Sequence, residues 1–165
     1  MSAMALPPEG QRLLPARGPE GLAAHLARHG NPPPGAADRL IDAVEQAGLT
    51  GRGGAAFPAG AKMRAVAQSG GRAVVVANGS ESEPASSKDS VLLANAPHLV
   101  LDGIGLAAAA VGATTAYLCA RGGIRPLAAA IAERDQAGLS DVRVELLEAP
   151  GGYLSGQETA MISAL

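Results

Sequence analysis

Three short runs in this sequence combine residue types and spacings that can do chemistry. The first is Gly51-Arg-Gly-Gly-Ala-Ala-Phe-Pro-Ala-Gly-Ala-Lys62. Its small residues let the backbone approach a ligand closely and turn N–H groups inward, which can cradle a phosphate. Arg52 and Lys62 add positive charge, each contact being worth roughly 1.5–3 kcal/mol when desolvated. The run lacks the Gly-Lys-Ser/Thr end of a Walker loop, and it is not a Gly-x-Gly-x-x-Gly turn directly after a strand. By composition alone, a phosphate cradle and an ordinary glycine-rich loop stand as equal readings. The second run, Val76-Ala-Asn-Gly-Ser-Glu-Ser-Glu-Pro84, leaves an apolar strand and places Glu81 and Glu83 two residues apart near Asn78. Alternate residues of an extended segment project to one side, so both acids can face one pocket. There they would accept hydrogen bonds from ribose hydroxyls, a carboxamide or a ring edge; the plainer reading is a solvated acidic loop. The third run, Gly151-Gly-Tyr-Leu-Ser-Gly-Gln-Glu-Thr159, pairs a glycine turn with a helix start that can present backbone donors and the Glu158 carboxylate.

The elements that must position these runs alternate along the chain. Residues 1–35 are rich in Pro, Gly and Ala and read as a flexible arm with one short helical stretch at 22–29. The run Asn31-Pro-Pro-Pro-Gly35 excludes helix and stiffens the break. A helix is expected at 36–47, with Leu40, Ile41 and Val44 as its apolar stripe and Gly48 as its stop. Beyond it, strands at 72–77, 115–120 and 142–147 alternate with helices at 97–111, 125–136 and 156–165. This alternation implies right-handed crossovers and a parallel sheet with helices on both faces, an α/β fold. Ligands of such sheets collect at the carboxyl ends of the strands, here the loops after Ala77, Ala120 and Glu148. The last residues, Thr159-Ala-Met-Ile-Ser-Ala-Leu165, carry an apolar helical pattern with no stop signal and read as an unfinished helix.

Composition narrows the partners. With 165 residues the chain suffices for one domain and its core. A formal net charge of −2 provides no large positive field, which argues against nucleic acid. With one Phe, two Tyr and no Trp, the core must be aliphatic and closely packed. The single cysteine, Cys119, excludes an internal disulfide and any thiolate cluster built by this chain alone. The longest apolar stretch, 104–117, is broken by Gly105 and Gly112 and is too short to span a bilayer. A cytoplasmic location fits, with peripheral docking on the inner face of a membrane left open. Cys119 and Tyr117 read as core residues, and His98 as a partly exposed helix-start histidine. His25 and His29, one helical turn apart, can in principle form a metal pair but read as solvated for want of a third ligand. No metal site is assigned.

Taken together, the three runs resemble the NADH-oxidising flavoprotein subunit of respiratory complex I and its hydrogenase and formate dehydrogenase relatives, the NuoF-like family. That family's loop reads Gly-Arg-Gly-Gly-Ala-Gly-Phe-Pro-x-Gly-x-Lys, matched here with Ala56 in place of one glycine. Its acidic run, Asn-Ala-Asp-Glu-Gly-Glu-Pro followed by Lys-Asp, aligns with Asn78, Glu81, Glu83, Pro84, Lys88 and Asp89. Its Gly-Ala-Tyr-x-Cys-Gly-Glu-Glu-Thr-Ala aligns with Tyr153, Gly156, Glu158, Thr159 and Ala160. The likeness covers residues 36–165 and implies the first part of a Rossmann-like FMN- and NADH-binding domain. By position, Gly51, Arg52, Gly53, Gly54 and Lys62 would contact FMN, and Asn78, Ser80 and Glu81 would line the flavin. Tyr153, Gly156 and Gln157 would complete that pocket. Glu81, Glu83 and Glu158 are the implied catalytic acids, and Phe57 would stack on the nucleotide. Hydride would pass from NADH to FMN, and electrons onward to an iron–sulfur centre on a partner subunit. The 4Fe-4S cluster of full-length members has no ligands here.

The chain departs from the family pattern at informative places. Ser80 stands where the family has Asp, Gln157 replaces the first Glu of a pair, Ser155 replaces Cys, and Ala65 replaces an aromatic. The Asn-Gly-Ser-Glu-Ser-Glu-Pro run also leans toward the RnfC-like electron-transfer relatives. The alternatives are therefore a non-catalytic flavin-fold domain that docks on a partner, or an RnfC-like electron-transfer subunit.

Overall fold

The computed structural model describes residues 12–51, 56–81 and 85–148. Six helices and three strands follow in the order α1 (Leu22–His29), α2 (Ala36–Gln46), α3 (Ala59–Gln68), β1 (Val75–Gly79), α4 (Lys88–Asn95), α5 (Pro97–Val111), β2 (Thr115–Ala120), α6 (Ile124–Gln136) and β3 (Arg143–Glu148). The strands form one parallel sheet in the order β1-β2-β3, with Val75 opposite Ala116 and Thr115 opposite Arg143. This is the expected α/β architecture.

The sheet's ladder explains which residues face the core. Successive side chains of a strand point to opposite faces, so Val75, Ala77, Ala116, Leu118, Val144 and Leu146 share one side. Leu101, Ile104 and Ala108 of α5 pack there with Leu127 and Ala130 of α6. The order β1-β2-β3 with two crossovers of the same hand sets both connecting helices on that face. Leu93 of α4 joins the same cluster, so the described residues supply the helical layer on one of the two faces. The buried positions of α5 recur at Pro97, Leu101, Ile104 and Ala108, the spacing of one helical stripe. Gly112 ends the helix at φ 70°, and the next N–H, that of Ala113, donates back to Ala108 at 2.8 Å.

Two helices were not expected from the sequence. Helix α3 begins inside the glycine-rich run and packs on α2, where Arg64 pairs with Asp42 at 2.7 Å and Glu45 at 2.6 Å. Gly60 makes that approach possible: a Cβ there would lie 2.3 Å from Glu45 Cγ and 3.0 Å from the Glu45 nitrogen. Helix α4 fills the link between the acidic run and α5. Strand β1 also runs two residues further than expected, to Gly79, because its ladder with β2 continues to Ala120.

The histidine expectations need correction. Within the stretch read as an arm, α1 docks on α5 and α6, and His25 is fully enclosed at 0 % exposure. Its Nε2 lies 2.7 Å from Asp102 Oδ2, while Arg134 donates to the other oxygen of Asp102 at 2.6 Å. His98 is also buried, with Nε2 3.2 Å from Glu133. Burial lowers its pKa against the opposing pull of Glu133. These contacts join residues far apart in sequence, which no local pattern reports.

Candidate functional site

At the carboxyl ends of β1 and β2 the fold opens a cavity of about 560 Å³, lined among others by Gly79, Glu81, Ser86, Leu93, Arg121 and Pro126. It lies at the sheet edge where ligands of parallel sheets bind and falls in the usual size range of small-molecule sites. Gly79 holds the strand end close to its neighbours, since a Cβ there would meet Leu93 Cδ1 at 2.6 Å and the Cys119 carbonyl at 2.9 Å. The chain then turns through Asn78 and Ser80. The Ser80 N–H and hydroxyl donate to Asn78 Oδ1 at 3.1 and 3.0 Å, and Ser80 is buried at 4 % exposure. The short side chain that replaces the family's Asp is thus absorbed into the turn.

Glu81 follows at the cavity wall with its side chain 12 % exposed, which sets aside the solvated-loop reading for this residue. Burial works against its charge, but the Ser86 hydroxyl and the backbone N–H groups of Asp89, Lys88 and Ser90 outweigh it. The result is a carboxyl held below its ordinary range. Those N–H groups are unpaired donors of the first turn of α4, so Glu81 also serves as the anion at that helix start. Lys88 Nζ stands 3.8 Å away.

The opposite wall falls on the loop after Ala120, expected from the sequence as a ligand-facing position but with no residue singled out in it. Arg121, Gly122 and Gly123 connect β2 to α6, with φ of 70° and 66° at the glycines. Gly123 is the N-cap of α6; of the first helical residues Ile124 and Arg125 keep N–H groups without an intrahelical partner, beside the rim formed by Gly123 and Pro126, and Pro126 itself has none. An arginine beside a helix start at a strand end is a signal for anion binding that the sequence did contain. The set of groups suits a ligand with an anionic end and an apolar body: Arg121 and the α6 start for the former, Leu93, Pro126 and Leu127 for the latter. FMN has this character.

The glycine-rich run stands apart from this wall. Its neck is closed by the Gly51 N–H donating to the Phe57 carbonyl at 2.9 Å, and by the Ala59 N–H donating to Leu49 at 2.9 Å. Phe57 projects with 55 % exposure, and Lys62 sits in the first turn of α3. Gly51, Phe57, Lys62, Asn78 and Ser80 are not among the residues lining the cavity; of the described residues expected at the flavin, Glu81 is the one that lines it. Arg52, Gly53, Gly54, Glu83, Tyr153, Gly156, Gln157 and Glu158 lie outside the described residues. Cys119 is buried in β2, and burial raises its thiol pKa, as expected of a core cysteine. Among the described residues no single helix is long and apolar enough to cross a membrane; α4 and α5 meet that criterion only jointly, across a 99° bend.

Comparison with known proteins shows the family of the fold. The model of the Nuo51 FMN-binding domain matches residues 44–165. The NuoF-type subunit of NADH-quinone oxidoreductase from Aquifex aeolicus (strain VF5) is 35 % identical over 141 residues, covering 78 % of this chain and 33 % of the relative. The corresponding NADH-quinone oxidoreductase subunit from Streptomyces coelicolor is 35 % identical over 162 residues, covering 90 % of this chain and 34 % of the relative. Among solved structures, an NAD+-reducing [NiFe]-hydrogenase in the air-oxidised state superposes with a TM-score of 0.71 at 36 % identity, covering 79 % of this chain and 24 % of that one. The H2-reduced state gives a TM-score of 0.73 at 31 % identity, covering 88 % of this chain and 28 % of that one. The chain spans about a third of the length of the curated relatives it matches. It belongs to the Nuo51 FMN-binding domain family.

Proposed function

We propose that this chain is an FMN-carrying electron-entry module that takes hydride from NADH and passes electrons to an iron–sulfur partner subunit. The observation that carries the reading is the cavity at the strand ends, with Glu81 on one wall and Arg121 and the start of α6 on the other. Support comes from the relatives, which are named as NADH-quinone oxidoreductase subunits and an NAD+-reducing hydrogenase. When bound, FMN would supply hydride acceptance and release of single electrons. The chain's own residues do the rest. Arg121 and the α6 start bind an anionic group, while Glu81, placed by the Asn78–Ser80 turn, sets the ring edge. Gly51, Arg52, Gly53, Gly54 and Lys62 close over the cofactor's polar chain. Phe57, whose ring is open to solvent, stacks on the nucleotide, and Glu83 and Glu158 accept hydrogen bonds from NADH. Tyr153, Gly156 and Gln157 border the flavin. In this reading the module is a peripheral, cytoplasmic-side subunit.

The second reading, a docking module without turnover, is favoured by one observation: the Glu81 carboxylate is already engaged by Ser86 and the start of α4. Titration of FMN by fluorescence, followed by NADH-driven reduction of ferricyanide, separates the two. Quenching with turnover supports the electron-entry reading, and quenching without turnover supports the docking reading. Protein that neither quenches FMN nor turns over overturns the electron-entry reading. Replacing Arg121 by Ala is expected to weaken FMN roughly 10- to 150-fold, the equivalent of about 1.5–3 kcal/mol for one charge-assisted contact.

A further inference from the structure

Helix α1 carries His25 and His29 four residues apart, so their imidazoles stack along one side of the helix. Their ring centroids are 5.0 Å apart. Glu20 lies just before the helix and turns its carboxylate toward the pair. One ligand atom from each of Glu20, His25 and His29 falls within 4.8 Å of the others. Across this group, His25 Nδ1 stands 3.7 Å from Glu20 Oε2. Two ligands at ~2.0–2.1 Å from a tetrahedral zinc stand about 3.3 Å apart, so a small contraction closes the site.

A separate observation points the same way. His25 Nδ1 and His29 Nε2 are buried and have no hydrogen-bond partner among the described residues. Leaving such an atom unpaired costs about 1–3 kcal/mol, and two occur here beside one carboxylate. The other nitrogen of His25 is held by Asp102 at 2.7 Å, and Asp102 is anchored in turn by Arg134 at 2.6 Å. A carboxylate on the far nitrogen fixes the tautomer and aims the lone pair of the near one, the support that metal-bound imidazoles receive in proteins.

We propose that Glu20, His25 and His29 form a binding site for a divalent first-row transition cation of the zinc type, which ties the segment before α1 to the helix. Two imidazole nitrogens and one carboxylate oxygen suit zinc and its neighbours rather than magnesium or calcium. Arg28 holds both oxygens of Glu20, at 2.8 and 2.7 Å, but each oxygen keeps a further lone pair. The guanidinium therefore orients the carboxylate and leaves an acceptor for the ion. Glu20, Asp102 and Glu133 face Arg28 and Arg134 across the junction, so carboxylates outnumber guanidiniums. Half-buried His29 provides the way in from solvent. Pro19, the residue before Glu20, lines the cavity at the strand ends, so the ion would also steady one edge of that cavity.

The test uses the full chain, stripped of metal with a chelator and titrated with Zn(II) against a chromophoric competitor, then with Co(II) while its visible d–d bands are followed. About one equivalent is expected to bind, with Mg(II) failing to compete. His29→Gln and Glu20→Gln are each expected to weaken binding by at least roughly tenfold, with circular dichroism confirming that the variants remain folded. The chain has three histidines, so nitrogen NMR of labelled rings reads the wild type directly: Zn(II) should shift one nitrogen each of His25 and His29 strongly and none of His98. Absence of stoichiometric Zn(II) binding overturns the proposal. So does unchanged affinity in both folded variants, or a ring-shift pattern that leaves out either His25 or His29. None of these outcomes depends on FMN, so the electron-entry reading stands or falls separately.

Discussion

The corner at Glu81 and the junction at Asp102 are each organised by a carboxylate that gathers donors, but they gather them from different distances along the chain. Glu81 draws on Ser86 and on the N–H groups of residues 88–90, all within nine positions. Asp102 draws on His25, 77 positions away, and Arg134, 32 positions away. The first is a local device: the turn after a strand closes on the next helix and offers what remains of its surface to a cavity. The second is a tertiary device: it holds three helices together and has no local signature. Local devices can be read from a motif, whereas tertiary ones emerge only when the fold brings the chain back on itself.

The largest effect that would break this comparison is expected at the junction. Asp102→Ala leaves the enclosed His25 without its partner and Arg134 without its counter-charge. Breaking a buried pair by removing one member costs about 3–5 kcal/mol. Urea unfolding should show that loss, with hydrogen exchange rising first in α1. A variant as stable as the wild type would mean that the junction contributes nothing to holding α1. At the corner, Gly79→Ala ranks next. Leu93 can swing away from the new Cβ, but the Cys119 carbonyl at 2.9 Å is backbone and cannot. Overpacking of this kind costs about 1–3 kcal/mol, and FMN affinity should fall with it as the strand end shifts beside the cavity.

The same contrast explains how much of the molecule was legible in its sequence. Helix α5 and strand β2 match their expected bounds at both ends, and α6 and β3 match within one residue, because Pro97, Gly112 and Gly138 punctuate clear apolar patterns. Helix α3 was hidden by its own glycine. Gly60 reads as part of a ligand loop, yet it is there to let α3 touch Glu45 of α2. Helix α4 was hidden because its start is stabilised from outside, by Glu81, rather than by a cap within its own run. In the site, the acidic corner was visible as a motif and the Arg121 loop as a position. The His25–Asp102–Arg134 contacts were not visible at all, since each partner taken alone looks like an ordinary surface residue.

A smaller effect sharpens the account of the corner. The folded carboxyl of Glu81 titrates below its ordinary value of 4.5, so the ionised form favours the folded state. That contribution is complete above the ordinary value and drains away as pH falls through the lower, folded one. Wild type should therefore exceed Glu81→Gln in thermal midpoint at pH 7, and the gap should close in acid. A gap that stays constant down to pH values of about 2–3, well below the carboxylate range, would mean that the charge of Glu81 does not stabilise α4.

The smallest effect is expected in the glycine-rich run, and it has the opposite sign. Ala56 occupies the left-handed region at φ 43°, alone in this among the non-glycine residues described, and it stands where the family pattern has glycine. A residue with a Cβ pays roughly 1–2 kcal/mol for that backbone conformation. Ala56→Gly removes the strain but adds freedom to the unfolded chain, which costs about 0.4–1 kcal/mol. The two terms nearly offset, and the balance favours the glycine by about 0.5–1 kcal/mol. If the run is a purely structural loop, that gain should appear in thermal unfolding with FMN affinity unchanged. If the loop closes over the cofactor, relaxing Ala56 should also alter FMN affinity, because the residue sits one position before Phe57 and inside the neck closed by Gly51. A stabilised variant with unaltered FMN binding would detach this loop from the cofactor and leave the cavity at the strand ends to account for flavin recognition by itself.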